Sequence, residues 1–170
     1  GALSDIYRRG GTVHRSTAPR ALQLIRPALY IACIFSLFIS AAMAIPALVD
    51  LADGEETWVV FAGSSAGVFA ISLMGVVALR QPLPKFSPRF GFLLTTLLWV
   101  QSVAVCAVPI YFALPVTPAE AFFEGMSGLT TTGATVLSGL DMMPRSILVW
   151  RSLMQWMGGI GIIAIGLFLF

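Results

Sequence analysis

Charged side chains are scarce in this chain. Of its 170 residues, 11% are Asp, Glu, Lys or Arg and 58% are hydrophobic, and the mean hydropathy is +0.90. So few polar residues cannot cover the surface of a soluble globule of this size. The net charge of +2 leaves no basic footprint for a nucleic acid. The composition therefore excludes a soluble domain and predicts an all-α integral membrane protein.

Cysteine and histidine are nearly absent as well. Cys33 and Cys106 lie in apolar runs without a CxxC motif or a neighbouring histidine, which predicts packing residues instead of a disulfide or a zinc site. His14 is the one histidine and precedes the apolar runs, so those runs offer no haem ligand. The sequence motifs of hydrolases, metalloproteases and phosphate-binding loops are missing too. We expect neither an enzyme nor a cofactor.

Long apolar runs take the place of these features. Residues 27–49, 58–79 and 90–112 contain no charge, and residues 147–170 contain only Arg151. At about 1.5 Å per helical residue, each run is long enough to cross a hydrocarbon core of about 30 Å. The sequence predicts about four transmembrane helices, the first two of which form an N-terminal hairpin over residues 27–79.

The charges between these runs indicate the orientation. Residues 1–26 and 80–89 carry basic residues, whereas the turn between the first two runs carries only acids. Those acids are Asp50, Asp53, Glu55 and Glu56. Because basic loops stay on the cytoplasmic side, we expect a cytoplasmic basic leader over 1–26, a cytoplasmic loop over 80–89 and a multi-pass protein of the cell's inner (plasma) membrane.

A shorter helix is predicted after the third run. Thr117 and Glu120 have the spacing of a capping box, and Pro118 falls at the first helical position, where proline is favoured. A helix over 118–130 would be about 20 Å long, which is too short to cross a bilayer. The pattern predicts a re-entrant half-helix that enters the membrane and returns.

A polar segment, Thr130–Thr135, follows this half-helix. Non-helical backbone at membrane depth is tolerated only where protein buries it or where it lines a watery cavity. Gly133 can turn the backbone through angles closed to other residues, and rings of carbonyl oxygens replace the hydration shell of a cation. The negative end of the helix dipole points at the same place. Residues 131–135 are therefore predicted to form a cation filter.

At this point the sequence resembles a known family. The resemblance is carried by six segments: Phe122-Phe123-Glu124, Leu129 to Thr135, Gly139-Leu140-Asp141, Pro144, Trp150-Arg151 and Gln155 to Gly161. They are similar to the first pore repeat of TrkH/TrkG-type potassium uptake proteins in the Trk/Ktr/HKT superfamily. The resemblance places the repeat at 90–170, with spans 90–112 and 147–170 on either side of half-helix 118–130. The preceding residues, 27–79, resemble the extra helical pair of these proteins.

The resemblance implies a function and a site. It implies potassium transport through carbonyl oxygens of Thr131, Thr132, Gly133 and Ala134, with Gly133 at the position whose replacement by serine accompanies sodium preference in plant-type relatives. It also implies a pore of four repeats, a homodimer and a cytoplasmic nucleotide-binding regulatory subunit. This chain would supply one repeat. The uncapped apolar end at Phe170 predicts a fragment, completed by further repeats or by further copies of itself.

Other interpretations stay open. The chain could be a non-conducting helical membrane scaffold or assembly subunit, or it could carry sodium or ammonium. Arg151 could pair with Glu124 and clamp the half-helix, or it could extend to the outer interface beside Trp150. Small residues recur along the first run, and Gly63 with Gly67 forms a GxxxG motif in the second. Both patterns predict close helix packing. Gly158 is also predicted to pack closely against another helix, and this interpretation is favoured over a role in gating.

Overall fold

The computed structural model describes residues 20–82 and 87–169, and side chains from residue 24 to residue 163 within those ranges. Most of the predicted leader over 1–26, with His14, lies outside the described residues, as does part of the loop over 80–89. The described chain contains helices and no strands, which confirms the all-α class. The helices are α1 (Arg20–Ala42), α2 (Ala44–Asp53), α3 (Trp58–Ala78), α4 (Pro88–Ala113), α5 (Pro118–Leu129) and α6 (Arg145–Leu169), with a 3₁₀ turn at Leu140–Met142.

Three stretches of the described chain are long and apolar enough to cross a membrane. They are Leu24–Asp53, Trp58–Ala78 and Pro88–Ala113, and they correspond to the first three predicted spans. The first helix begins at Arg20 instead of Pro27, and Pro27 lies inside it. Helix α6 has 25 residues, or about 38 Å at the usual rise. Its crossing of the membrane stays a prediction.

The first apolar run contains one interruption in its helix. Helix α1 ends at Ala42, Met43 forms a turn, and α2 begins at Ala44. Pro46, which follows this turn, has no N–H to donate to the Ala42 carbonyl. The sequence predicted one span over 27–49, and the membrane-length stretch of the structure, Leu24–Asp53, extends beyond it at both ends.

The helices pack around a core that joins the N-terminal hairpin to the later helices. Helix α1 lies against α3 and α4, α2 lies against α3 and α6, and α5 lies between α4 and α6. At the centre Trp150 is fully buried, contacts Phe61 edge to face and donates its indole N–H to the Cys106 carbonyl at 3.0 Å. Cys106 is buried and Cys33 half-buried, and both are free thiols, as the packing interpretation requires.

Small residues pack closely in α1, whereas the GxxxG glycines of α3 do not. Ala32 and Ser36 are buried, and the Gln101 side-chain amide donates to the Ala32 carbonyl and to the Ser36 hydroxyl. The GxxxG glycines behave differently. A Cβ at Gly63 or Gly67 would meet nothing within 4 Å, and both glycines line an open apolar groove of about 510 Å³. Within the described residues, the close packing predicted for this motif does not occur.

Candidate cation site

The site begins with the capping box of α5. The Thr117 N–H donates to Glu120 Oε2 at 2.7 Å, and the Glu120 N–H donates to the Thr117 hydroxyl at 3.3 Å. This reciprocal pair, with Pro118 in the first turn, confirms the capping box predicted from the sequence. The hydrogen bonds from the Thr117 backbone and side chain lower the pKa of the Glu120 carboxyl. Helix α5 therefore has a fixed first turn and ends after 12 residues.

Glycines let α5 approach its two neighbours closely. A Cβ at Gly125 would lie 2.8 Å from the Val103 carbonyl oxygen of α4, and one at Gly128 would lie 2.9 Å from Met154 Cβ of α6. A Cβ at Gly158 of α6 would overlap the Leu129 carbonyl outright. The end of α5 thus lies directly against the backbone of α6, as close helix packing at Gly158 requires.

Helix α5 ends in a Schellman motif with a threonine in the left-handed position. The Thr131 N–H donates to the Gly128 carbonyl and the Thr132 N–H donates to the Ser127 carbonyl, each at 3.0 Å. Thr131 has φ 58°, a conformation that glycine normally supplies. For an ordinary residue it costs about 1–2 kcal/mol, and such strain clusters at functional sites. The sequence analysis expected unusual angles only at Gly133.

The four predicted coordinating residues lie in sequence on one exposed loop. Thr131, Thr132, Gly133 and Ala134 are all exposed, and Gly133 has φ 75°. Among the described residues, no hydrogen-bond donor reaches the backbone oxygens of the first three. The Ala134 oxygen differs, because it accepts the Ser127 hydroxyl at 2.5 Å. The loop thus presents three carbonyl oxygens that have no hydrogen-bond donor among the described residues, next to one that has a protein partner.

A buried ion pair lies beneath the loop. Arg151 Nε donates to Glu124 Oε2 at 3.1 Å, and the Glu124 side chain is 1% exposed, so the pairing predicted from the sequence is confirmed. The other carboxylate oxygen, Oε1, accepts the Thr135 hydroxyl at 2.6 Å and the Val136 N–H at 2.8 Å. Glu124 therefore joins α5, the chain beyond the loop and α6 in one network.

The sequence analysis missed two residues of this site. Ser127 was not proposed as a site residue, yet its hydroxyl and carbonyl both bond the loop. Gln155 was noted only as part of a motif, and its side-chain nitrogen lies 3.8 Å from where a Gly133 Cβ would be. For Ser127 the available signal was a hydroxyl near the end of a short helix, seven residues before Ala134. Its partner is backbone, which has no sequence signature.

These features define a class: a helical membrane protein in which a short capped helix presents a loop of exposed backbone oxygens. The TrkH family model, described as a cation transport protein, matches residues 57–169. The chain belongs to the TrkH family of cation transport proteins. The match begins after α2, so the matched residues do not include the first two helices.

Individual relatives agree with this assignment. The chain is 40% identical over 128 residues to the Trk system potassium uptake protein TrkH of Escherichia coli (strain K12), covering 74% of this chain and 26% of the relative. It is 35% identical over 143 residues to TrkI of Halomonas elongata, covering 83% and 29%. The crystal structure of the potassium transporter TrkH from Vibrio parahaemolyticus matches with a TM-score of 0.81 and 33% identity, covering 85% of this chain and 31% of that one. The chain thus spans less than a third of each relative.

Proposed function

We propose that this chain supplies one of four pore repeats of a potassium transporter, with the loop after α5 as its part of a carbonyl selectivity filter. The observation that carries the proposal is the set of three backbone oxygens, on Thr131, Thr132 and Gly133, that no described donor reaches. Carbonyl oxygens in this state can replace the water of a dehydrated cation. Ala134 completes the proposed set, with one lone pair of its oxygen already bonded to Ser127.

Electrostatics at the loop favour a cation. Helix α5 ends at Leu129, immediately before the loop, and the end of a helix carries about half a negative elementary charge. The ion pair beneath the loop is nearly neutral overall, since Arg151 balances Glu124. The negative helix end and the carbonyl dipoles therefore act together on an ion in front of the loop, and they would repel an anion.

Potassium is the proposed ion because of the relatives and because of Gly133. The named relatives are potassium uptake proteins, and Gly133 has the positive φ that glycine adopts without strain. A serine there would have to adopt the same φ or move the adjoining carbonyls. Sodium or ammonium transport would use the same oxygens and is separated from potassium transport by competition measurements.

The proposed assembly follows from the fraction of the coordinating ring of carbonyl oxygens that one loop can form. A single loop surrounds an ion on one side only, so three further repeats, or three further copies, must complete the coordination. We propose that residues 90–170 form the repeat, with its second crossing at 147–170, that residues 27–79 form a hairpin beside it, and that 1–26 and 80–89 face the cytoplasm from the inner membrane. A homodimer and a cytoplasmic nucleotide-binding subunit are proposed from the family.

The test compares two glycines that share a left-handed backbone. Gly133 has φ 75° and Gly139 has φ 72°, but only Gly133 belongs to the proposed filter, and a Cβ at Gly139 would meet nothing within 4 Å. In the complete protein, expressed in cells that lack their own potassium uptake, Gly133→Ser should lower the potassium-to-sodium uptake ratio about tenfold, the effect of about 1.4 kcal/mol. Gly139→Ser should keep the ratio of the unmodified protein.

The scaffold interpretation predicts a different result. If the loop carries no ions, Gly133→Ser disturbs folding or partner binding and leaves potassium uptake per assembled complex unchanged. Uptake must therefore be normalised to the amount of protein in the membrane. An unchanged ratio in Gly133→Ser, with normal amounts of protein, would overturn the proposed filter.

A further inference from the structure

Asp50 is a fully buried carboxylate at the end of α2. Its relative exposure is 0%, and it lies in the last turn of its own helix, Ala44–Asp53. An acid in that position is unfavourable, because the carboxyl end of a helix already carries partial negative charge. Burial adds the cost of removing a charge from water. The residue therefore needs a partner from outside α2, and the sequence analysis had assigned it only to an outer turn.

That partner is the amino end of α6. The Ser146 N–H donates to Asp50 Oδ1 at 3.0 Å, across 96 residues of sequence. Pro144 precedes the helix, and Arg145 is its first residue. A proline side chain accepts no hydrogen bond, so Pro144 cannot cap the helix with its side chain. Helix α6 thus receives from α2 the carboxylate cap that most helices take from their own N-cap residue.

A second contact joins the same two helix ends. Arg145 Nη1 donates to Asp53 Oδ1 at 3.2 Å and to Oδ2 at 3.4 Å. Each charge is at the unfavourable end of its own helix, an acid at the end of α2 and a base at the start of α6, and each faces the opposite charge. This pair is exposed, with Arg145 at 75%, so it contributes little by itself. The buried contact of Asp50 is the stronger tie.

We propose that Asp50 is a positioning residue for the filter, because it fixes the start of the helix that holds the loop in place; this inference rests on the proposed function. From Ser146 it is about 7.5 Å along α6 to Arg151, whose side chain pairs with Glu124. Glu124 in turn holds the Val136 N–H just beyond the loop. The contact between Asp50 and Ser146 is therefore connected to the loop through one rigid helix and one buried ion pair.

This role lies in a part of the chain that the family model does not match. The match begins at residue 57, and Asp50 precedes it. The second carboxylate oxygen of Asp50, Oδ2, and the Ser146 hydroxyl are both buried without a partner among the described residues. An apolar side chain would avoid that cost but could not accept the Ser146 N–H. The N-terminal hairpin thereby acts as a brace for the pore repeat.

The experiment uses the complete protein and four variants. Asp50→Ala removes the acceptor, and Asp50→Asn keeps a neutral acceptor of the same shape. Ser146→Ala removes only the unpartnered hydroxyl and leaves the N–H contact, and Asp53→Ala removes the exposed pair. The readouts are potassium and sodium uptake per molecule in the membrane and amide hydrogen exchange in the first turn of α6, with α5 as the internal reference.

The proposal predicts a graded result. Asp50→Ala should raise exchange at the start of α6 about tenfold, the usual effect of losing an N-cap, and should lower the potassium-to-sodium ratio. Asp50→Asn should restore most of the protection from exchange and most of the potassium-to-sodium ratio. Ser146→Ala and Asp53→Ala should match the unmodified protein in both measurements. If Asp50→Ala lowers only the amount of protein, the Asn variant supplies the comparison. In that comparison the proposal requires faster exchange at the start of α6 and a ratio below that of the unmodified protein.

Two results would overturn this inference. An unchanged uptake ratio in both Asp50 variants, with exchange altered at the start of α6, would show that Asp50 stabilises the helix without positioning the filter. Equal shifts of the ratio in Ser146→Ala and Asp50→Ala would show that any change at this contact acts nonspecifically. Neither result affects the proposed function, which fails instead if the unmodified protein shows no potassium uptake or if Gly133→Ser leaves the ratio unchanged.

Discussion

Thr131 and Gly133 set the backbone direction of the loop in different ways. Their φ angles are 58° and 75°, and only glycine adopts such values without strain. Thr131 is held there by the Schellman bonds to Gly128 and Ser127, so the end of α5 supports the strained residue. A β-branched side chain in this conformation leaves the loop few other backbone conformations. The carbonyls that follow therefore start from a fixed direction.

Replacing Thr131 tests whether this strain contributes to selectivity. Thr131→Gly should change the free energy of unfolding by no more than about 1 kcal/mol, since relief of strain offsets the added chain entropy. The potassium-to-sodium uptake ratio should fall, because the loop gains conformations. Thr131→Asn is the matched control, since asparagine tolerates this backbone and restricts it more than glycine does. A potassium-to-sodium uptake ratio in Thr131→Gly equal to that of the unmodified protein, with normal uptake, would contradict the prediction.

At this scale the sequence predicted one ion pair and missed the hydroxyl contacts. A charged residue inside an apolar run needs a partner, and this rule, with the position of Glu124 in the half-helix, led from Arg151 to Glu124. The bonds of Glu124 to Thr135 and Val136 could not be derived in the same way, because a backbone N–H has no side-chain identity. Thr131 was predicted as a coordinating residue, but its left-handed backbone was not, because that strain comes from bonds at the end of α5 and not from the residue type.

Among the elements, α5 depends strongly on its neighbours. It has 12 residues, and helices this short are marginal by themselves. Its capping box fixes the first turn, and glycines bring it against α4 and α6 along the rest of its length. The sequence predicted the start of α5 because capping is local. The contact between Gly158 and Leu129 joins distant segments, and the sequence indicated only that Gly158 packs somewhere.

The contact at Gly158 predicts the effect of one added methyl group. Gly158→Ala should push the Leu129 carbonyl away from α6, because a Cβ there overlaps backbone that cannot rotate aside. Overpacking of this kind costs about 1–3 kcal/mol, so the thermal midpoint in detergent and the potassium uptake should both fall. Gly159→Ala is the control, since its Cβ would lie 3.9 Å from the Thr131 side chain. Equal effects of both substitutions would contradict the role of this contact.

At the scale of the whole molecule, the N-terminal hairpin and the later helices form one packed bundle. Helix α2 lies against α6 and α1 lies against α4. Composition and run length were enough to predict membrane helices and three of their positions. They did not predict how the hairpin attaches, because Asp50 and Ser146 are 96 residues apart and neither belongs to a motif. They also did not predict the open groove at Gly63 and Gly67, where a packing motif has no partner among the described residues.

The orientation of the bundle can be tested with two cysteine variants. Glu55 lies in the acidic turn after α2, and Pro82 lies in the loop after α3; both are exposed. In intact cells, a membrane-impermeant maleimide should label Glu55→Cys and should label Pro82→Cys only after permeabilisation, because the basic loop stays inside. The unmodified protein, with half-buried Cys33 and buried Cys106, gives the background. Reversed labelling would contradict the predicted topology.

The length of the first stretch has a consequence for how the protein fits its bilayer. The stretch Leu24–Asp53 has 30 residues, about 45 Å as a straight helix, against a hydrocarbon core of about 30 Å. A straight rod of that length has to tilt steeply, bend or protrude. Pro46 removes one backbone hydrogen bond from the stretch, so the mismatch in length is relieved most easily by bending at that point.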